Sequence, residues 1–198
     1  GALMRVSPLG IFGAGQDRTN LALWARQDAE ITHPNPMCLD ANALYVMAIA
    51  HAIDTGADAQ SLYGAVLDWA GDMDLHPLLR TAMEQAAVAP PANYARNQGW
   101  LLIAFQNAFW QLLHAGSLEE GIVDTVMRGG DTDTNAAICG ALLGAVHGRA
   151  AVPEQWTACI LNCRPEAGKP GVRRPRPECF WPVDALEIAE ALLTDGRE

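Results

Sequence analysis

Asp131 and Asp133 stand two residues apart in the stretch MRGGDTDTNAAICGALLGAVHG, residues 127–148, each followed by a threonine and preceded by Gly129 and Gly130. Carboxylates and hydroxyls gathered this closely are the donor set of hard cations such as Mg2+ or Mn2+, which take oxygen ligands. A regular helix would frustrate such a pair, because each residue turns the chain by about 100° and positions two apart point in very different directions. The paired glycines remove that obstacle by freeing the backbone just ahead of the helix. Asp131 then lies on the entering loop, with Asp133 or Thr134 in the first turn. A plainer reading stays open at this point, since Asp and Thr are good helix N-caps and either aspartate would serve. The duplicated Asp-Thr, the glycine pair and the helix that follows together favour the cation.

The helix that carries this cluster has an unusual pattern. Gly140, Gly144 and Gly148 recur every four residues, and so do Ala137, Ala141 and Ala145. Interior glycine costs a helix about 1 kcal/mol per position, so a surface helix has no use for it. The expectation is a helix through the core, with both small-residue stripes against close neighbours and its N-terminus delivered to a cleft.

Other elements follow from periodicity and punctuation. Helical spacing runs over residues 18–31 through Leu21, Trp24, Ala25 and Asp28, and THPNP then stops it because each proline pushes its predecessor out of the helical region. Helices are expected over 36–55, 59–71 and 75–87, the first with Leu44, Met47 and His51 on one face. Residues 100–115 are apolar nearly all round, the mark of a central helix, which makes Trp100, Phe105 and Trp110 core residues by default. Ser117 and Glu120 form a capping box for a helix reaching Met127. An amphipathic helix closes the chain at 183–193. The glycine-rich opening, GALMRVSPLGIFGAGQD, reads as loop with short turns, as do the segments around 88–98 and 163–182. Alternating β-branched residues are scarce. An all-α fold in a single domain over 1–198 is the expectation, in a compact orthogonal multi-helix arrangement.

Composition bounds the function. The 198 residues are 50% hydrophobic and carry a net charge of −10, so there is apolar material for a core without metal or disulfide. That charge excludes a general nucleic-acid backbone binder, which needs a positive surface. The five cysteines, at 38, 139, 159, 163 and 179, are odd in number and without a zinc-ligand spacing, so buried, reduced thiols of a cytoplasmic protein are expected. No basic-then-apolar leader is visible, and the longest apolar stretch, residues 136–146, falls well short of the ~20 residues of a membrane span.

GGDTDTNAAICGALLGAVHG resembles the C-terminal metal motif of the ADP-ribosylglycohydrolase family, the all-α enzymes of the dinitrogenase reductase-activating glycohydrolase type. GALMRVSPLGIF resembles that family's substrate loop and THPNP its Thr-His segment, in the same order and at similar separations. The resemblance implies a dinuclear Mg2+ or Mn2+ site with Asp131, Asp133 and Thr134 among its ligands. It implies that Gly1, Ala2, Leu3 and Met4 border the ADP-ribose and that His33 holds its phosphate or ribose. By itself, a histidine beside two prolines is more simply a structural hydrogen-bonder. The implied activity is hydrolysis of the glycosidic bond joining ADP-ribose to a protein side chain or small molecule. The family's upstream acidic motif, of the Thr-Asp-Asp-Thr kind, is absent, and no catalytic acid is identified. The resemblance thus implies the C-terminal two-thirds of such a domain, the remainder being cleaved, carried on a second polypeptide or lying outside the sequence given. A noncatalytic relative that keeps the fold is the alternative. The basic loop with Lys169, Arg173, Arg174 and Arg176 would suit a pyrophosphate, but solvation alone accounts for it.

Overall fold

Helix α4 (Pro36–Thr55) organises the molecule. In the computed structural model, which describes residues 1–197, every regular element among those residues is helical. Asn35 caps α4 by accepting from the Met37 amide at 3.0 Å, and Pro36 occupies a first-turn position where a missing N–H is harmless. Gly56, at φ 67°, ends the helix in the left-handed conformation that glycine tolerates. In length and composition α4 would suffice to cross a membrane. Residues 41–50, however, are all buried inside the protein. They are covered by α1 (Ala2–Arg5), α2 (Ser7–Phe12), α3 (Arg18–Glu30), α5 (Ala59–Gly71) and α9 (Thr132–His147).

A second group of helices closes the core. α6 (Pro77–Ala86) and α8 (Leu118–Met127) flank α7 (Leu101–His114), and α9 lies across α7, α8 and α4. Phe105 and Phe109 of α7 are fully buried, their rings 4.9 Å apart. Trp110 is half-buried and stacks on His114, while Trp100 stands 41% exposed, so of these three aromatics only Phe105 is core. Ser117 caps α8 through the Glu120 amide at 3.1 Å. The Glu120 carboxylate reaches back to the Gly116 amide, one residue earlier than the usual capping box.

Three expectations change. The opening stretch is not loop: α1 and α2 form because Ala2, Leu3 and Val6 bury against α4, and burial outweighs weak propensity. Gly10 is there for close packing, since a Cβ would meet Ile49 Cγ2 at 2.6 Å. α10 (Glu154–Leu161) was not anticipated, and it packs beside a 3₁₀ turn at Pro182–Asp184 before α11 (Ala185–Asp195) returns onto α2. Finally, the buried face of α9 is Asn135, Ile138, Cys139, Leu142 and Leu143, not the small-residue stripes. Ala137 is exposed, Gly140 meets only the Ile122 side chain, and a Cβ on Gly144 would meet nothing within 4 Å. The larger residues take the buried face, while Ala141 and Ala145 pack half-buried at the edge of the core and Gly144 borders a hollow shared with α2 and α4.

Candidate functional site

The turn between α8 and α9 places the acidic cluster. Gly129 and Gly130 have φ values of 77° and 74°, a region costly for any residue with a Cβ. A methyl on Gly130 would also overlap the Tyr94 carbonyl, so the segment before α7 presses directly on this turn. That segment is pinned by a buried chain of hydrogen bonds. The Tyr94 hydroxyl donates to Asn107 Oδ1 at 2.7 Å, and Asn107 Nδ2 donates to Thr125 Oγ1 at 2.9 Å. Thr125 Oγ1 in turn donates to the Gly121 carbonyl at 2.7 Å. Arg128 lies over the Tyr94 ring, 5.5 Å from its centroid, and pairs with Asp124.

Asp131 sits at the N-cap position of α9, yet its side chain makes no capping hydrogen bond. It lines a cleft of about 200 Å3 with Thr134, Asn135 and Ile138 from the same helix. The opposite wall is Gly1, Ala2, Leu3 and Met4, and the Thr134 hydroxyl touches Met4 Sδ at 3.7 Å. His33, Cys38 and Asn42 add a third wall, with Gly99, Leu101 and Ala104 closing the fourth. Of the residues expected at a site, the fold thus gathers Gly1, Ala2, Leu3, Met4, His33, Asp131 and Thr134 around one hollow. Asp133 is exposed and forms no part of its lining. The basic loop with Lys169, Arg173, Arg174 and Arg176 is exposed and does not reach it. Roomier hollows beside Trp100 and along the open side of α9 hold no carboxylate.

His33 is wired to both neighbouring segments. Its Nδ1 lies 2.8 Å from Thr32 Oγ1, which also accepts from Arg5, and its Nε2 lies 3.2 Å from the Gly1 nitrogen. Burial first, and then the positive charge of Arg5, lower its pKa, which favours the neutral ring. Cys38 is half-buried and its pKa is raised, chiefly by burial. Sequence reasoning missed Cys38, Asn42, Gly99 and Asn135. Asn42 left a signal, being a lone amide in the apolar run ANALYVMAIA.

Asp131 and Thr134 offer hard oxygen donors suited to Mg2+ or Mn2+, and Asp133 follows in the first turn. They fill only part of such a shell, because among the described residues no three His, Cys, Asp or Glu side chains converge. Cys159, Cys163 and Cys179 are exposed, contrary to the expectation of buried thiols, and only Cys139 is fully buried.

Fold and site together define an all-α domain whose cleft ends at the carboxylate-bearing mouth of a helix. A family model described as ADP-ribosylglycohydrolase matches residues 1–192. The chain belongs to the ADP-ribosylglycohydrolase family. A protein of Acanthamoeba polyphaga mimivirus, provisionally named an ADP-ribosyl glycohydrolase, is 30% identical over 70% of this chain and 45% of its own length. An uncharacterised protein of Archaeoglobus fulgidus is 30% identical over 79% of this chain and 51% of its own. A solved structure described as an ADP-ribosylglycohydrolase-related protein complex matches 98% of this chain with a TM-score of 0.76 at 28% identity. The chain spans about half the length of these curated relatives and 59% of that solved chain.

Proposed function

We propose that this chain carries the substrate cleft and part of the cation site of a metal-dependent hydrolase. The bond cleaved is the glycosidic bond of ADP-ribose attached to a protein side chain or a small molecule, in a cytoplasmic setting. The observation that carries the reading is the free Asp131 carboxylate, uncapped and facing the same hollow as Thr134, His33 and the 1–4 segment. A structural N-cap would have spent that carboxylate on backbone amides. Asp131, Asp133 and Thr134 would hold Mg2+ or Mn2+, which when bound polarises a hydroxyl or water. The protein's own contribution is then positioning. The 1–4 segment and Gly99 let the ligand approach closely, and a neutral His33 can donate or accept a hydrogen bond without adding charge.

A second reading, a noncatalytic relative that binds ADP-ribose, rests on the incomplete donor set. Asp131→Asn and Asp133→Asn separate the two. Asn caps a helix about as well as Asp, so a capping role predicts near-normal behaviour. A ligand role predicts weakened Mg2+ or Mn2+ binding by calorimetry and ADP-ribose release reduced by orders of magnitude. Unchanged metal affinity and turnover in both variants would defeat the metal-site reading. Metal binding lost with no turnover in the parent protein would favour the noncatalytic one.

A further inference from the structure

Two walls of the cleft, residues 1–4 and the turn that carries His33, come from separate pieces of chain, and one side chain joins them. Arg5 directly follows Met4. Its Nη1 donates to Thr32 Oγ1 at 2.8 Å and its Nη2 to the Asp28 carbonyl at 2.7 Å, with the Asp28 carboxylate 3.2 Å from that second nitrogen. The Asp28 carbonyl belongs to the last turn of α3, where a helix leaves its carbonyls unpaired and favours a cation. The amides of Thr32 and His33 both turn to the Ala29 carbonyl instead. Thr32 Oγ1 also lies 2.8 Å from His33 Nδ1, so the grip runs from the end of α1 to the ring in the cleft wall.

An ion pair as exposed as Arg5 with Asp28 is worth little by itself. What sets Arg5 apart is its planar fork, which meets a hydroxyl and a helix carbonyl at once, a geometry that a lysine ammonium on its flexible stem does not offer. α1 needs such a hold, because its four residues are too few for a helix to persist alone. Ala2 and Leu3 are buried in the core, but hydrophobic burial is non-directional and does not fix where along the end of α3 the segment lies. We propose that Arg5 is a positioning residue, which sets the spacing between the 1–4 wall and His33 by gripping Thr32 and the end of α3. This rests on the ADP-ribose reading of the cleft and adds what keeps two of its walls in register for the ligand. Neither Arg5 nor Thr32 lines the hollow, so their effect on binding passes through the walls they hold.

The test titrates ADP-ribose by calorimetry into the parent chain, Arg5→Lys, Thr32→Val, their double variant and Leu79→Ala. Leu79 is buried in α6 and outside the cleft lining, so its variant controls for lost stability. A wall that keeps its place in roughly one molecule in ten lowers the apparent affinity about tenfold. Arg5→Lys and Thr32→Val should each lose about that much, the double variant no more than the larger single loss, and Leu79→Ala nothing. In parallel, the His33 ring is titrated by NMR without ligand. Burial first, and then the Arg5 charge, lower its pKa, so Arg5→Met should raise it, while Arg5→Lys and Leu79→Ala leave it in place. Arg5→Gln takes the place of Arg5→Met if the latter does not melt cooperatively. Parent-like affinity in both Arg5→Lys and Thr32→Val would overturn the inference, as would losses that add in the double variant or appear equally in Leu79→Ala. A His33 titration unmoved by loss of the Arg5 charge would overturn it as well. Failure of the parent chain to bind ADP-ribose would instead remove the reading of the cleft, leaving the His33 titration to decide the role of Arg5.

Discussion

Replacing Gly130 and Gly129 by alanine, one at a time, measures how tightly the segment before α7 clamps the acidic turn. Both glycines sit at positive φ, 74° and 77°, so each substitution incurs a left-handed penalty of about 1–2 kcal/mol. There the similarity ends. A Cβ on Gly129 meets nothing within 4 Å, whereas one on Gly130 overlaps the Tyr94 carbonyl and crowds the Ala95 nitrogen. Backbone atoms cannot yield by changing rotamer, and Tyr94 is held by its bond to buried Asn107. Forcing that segment outward adds an overpacking cost of roughly 1–3 kcal/mol. Gly130→Ala should therefore lose about 2–5 kcal/mol and Gly129→Ala about 1–2 kcal/mol. In a domain of this size 1 kcal/mol moves Tm by about 2–4 °C, so the two melting curves should separate by roughly 2–12 °C. Thermal unfolding followed by circular dichroism, with urea titrations to check that m is unchanged, reads the difference. Equal losses would refute the clamp, because they would leave only the shared dihedral penalty.

Gly144→Ala should stabilise the chain by about 0.5–1 kcal/mol, since the site is an open helical position and alanine is the better helix former; a lower Tm would mean that the small-residue face is covered. Asn107→Ala removes the centre of the Tyr94–Thr125 chain and should cost about 2–4 kcal/mol, read as a drop in the urea midpoint. Alkylation of the native protein should label Cys159, Cys163 and Cys179 quickly and Cys38 slowly, and should spare Cys139, whose burial pushes its thiol pKa up to about 12. Peptide mapping checks this, and fast labelling of Cys139 without unfolding would contradict its burial. Burial disfavours the Asp124 charge, but hydrogen bonds from Arg128 and Gln111 and the Arg128 charge outweigh it and lower its pKa. Its contribution to stability is thus present above the ordinary aspartate pKa near ~4 and lost as pH falls through the lowered value. The acid limb of the stability profile should flatten in Asp124→Asn, and an unaltered limb would remove Asp124 from that account.

The all-α class was legible in the sequence because helix signals are local. Asp17, Asn35, Asp58 and Ser117 cap the helices they precede, and glycine or proline punctuates most of the ends. The family could be read for a related reason, since GGDTDT compresses turn geometry and oxygen donors into adjacent positions. What stayed hidden depends on residues far apart in the chain. Ala2–Arg5 and Ser7–Phe12 are too short, and set in too glycine-rich a stretch, to declare themselves as helices, and they form because α4 supplies an apolar surface to bury against. The small-residue stripes of α9 said that close approach was possible, but which face is buried was decided by α4, α7 and α8, which take the larger side chains. The uncapped state of Asp131, the pressure of Tyr94 on Gly130 and the gathering of Asn42 and Asn135 around one cleft are likewise products of packing. The sequence determined which groups were present and how each helix begins, through contacts a few residues long. Tertiary structure decided which of those groups share a cleft, because proximity across 93 residues, as between Tyr45 and Ile138, is set by the burial of whole faces and not by any local preference.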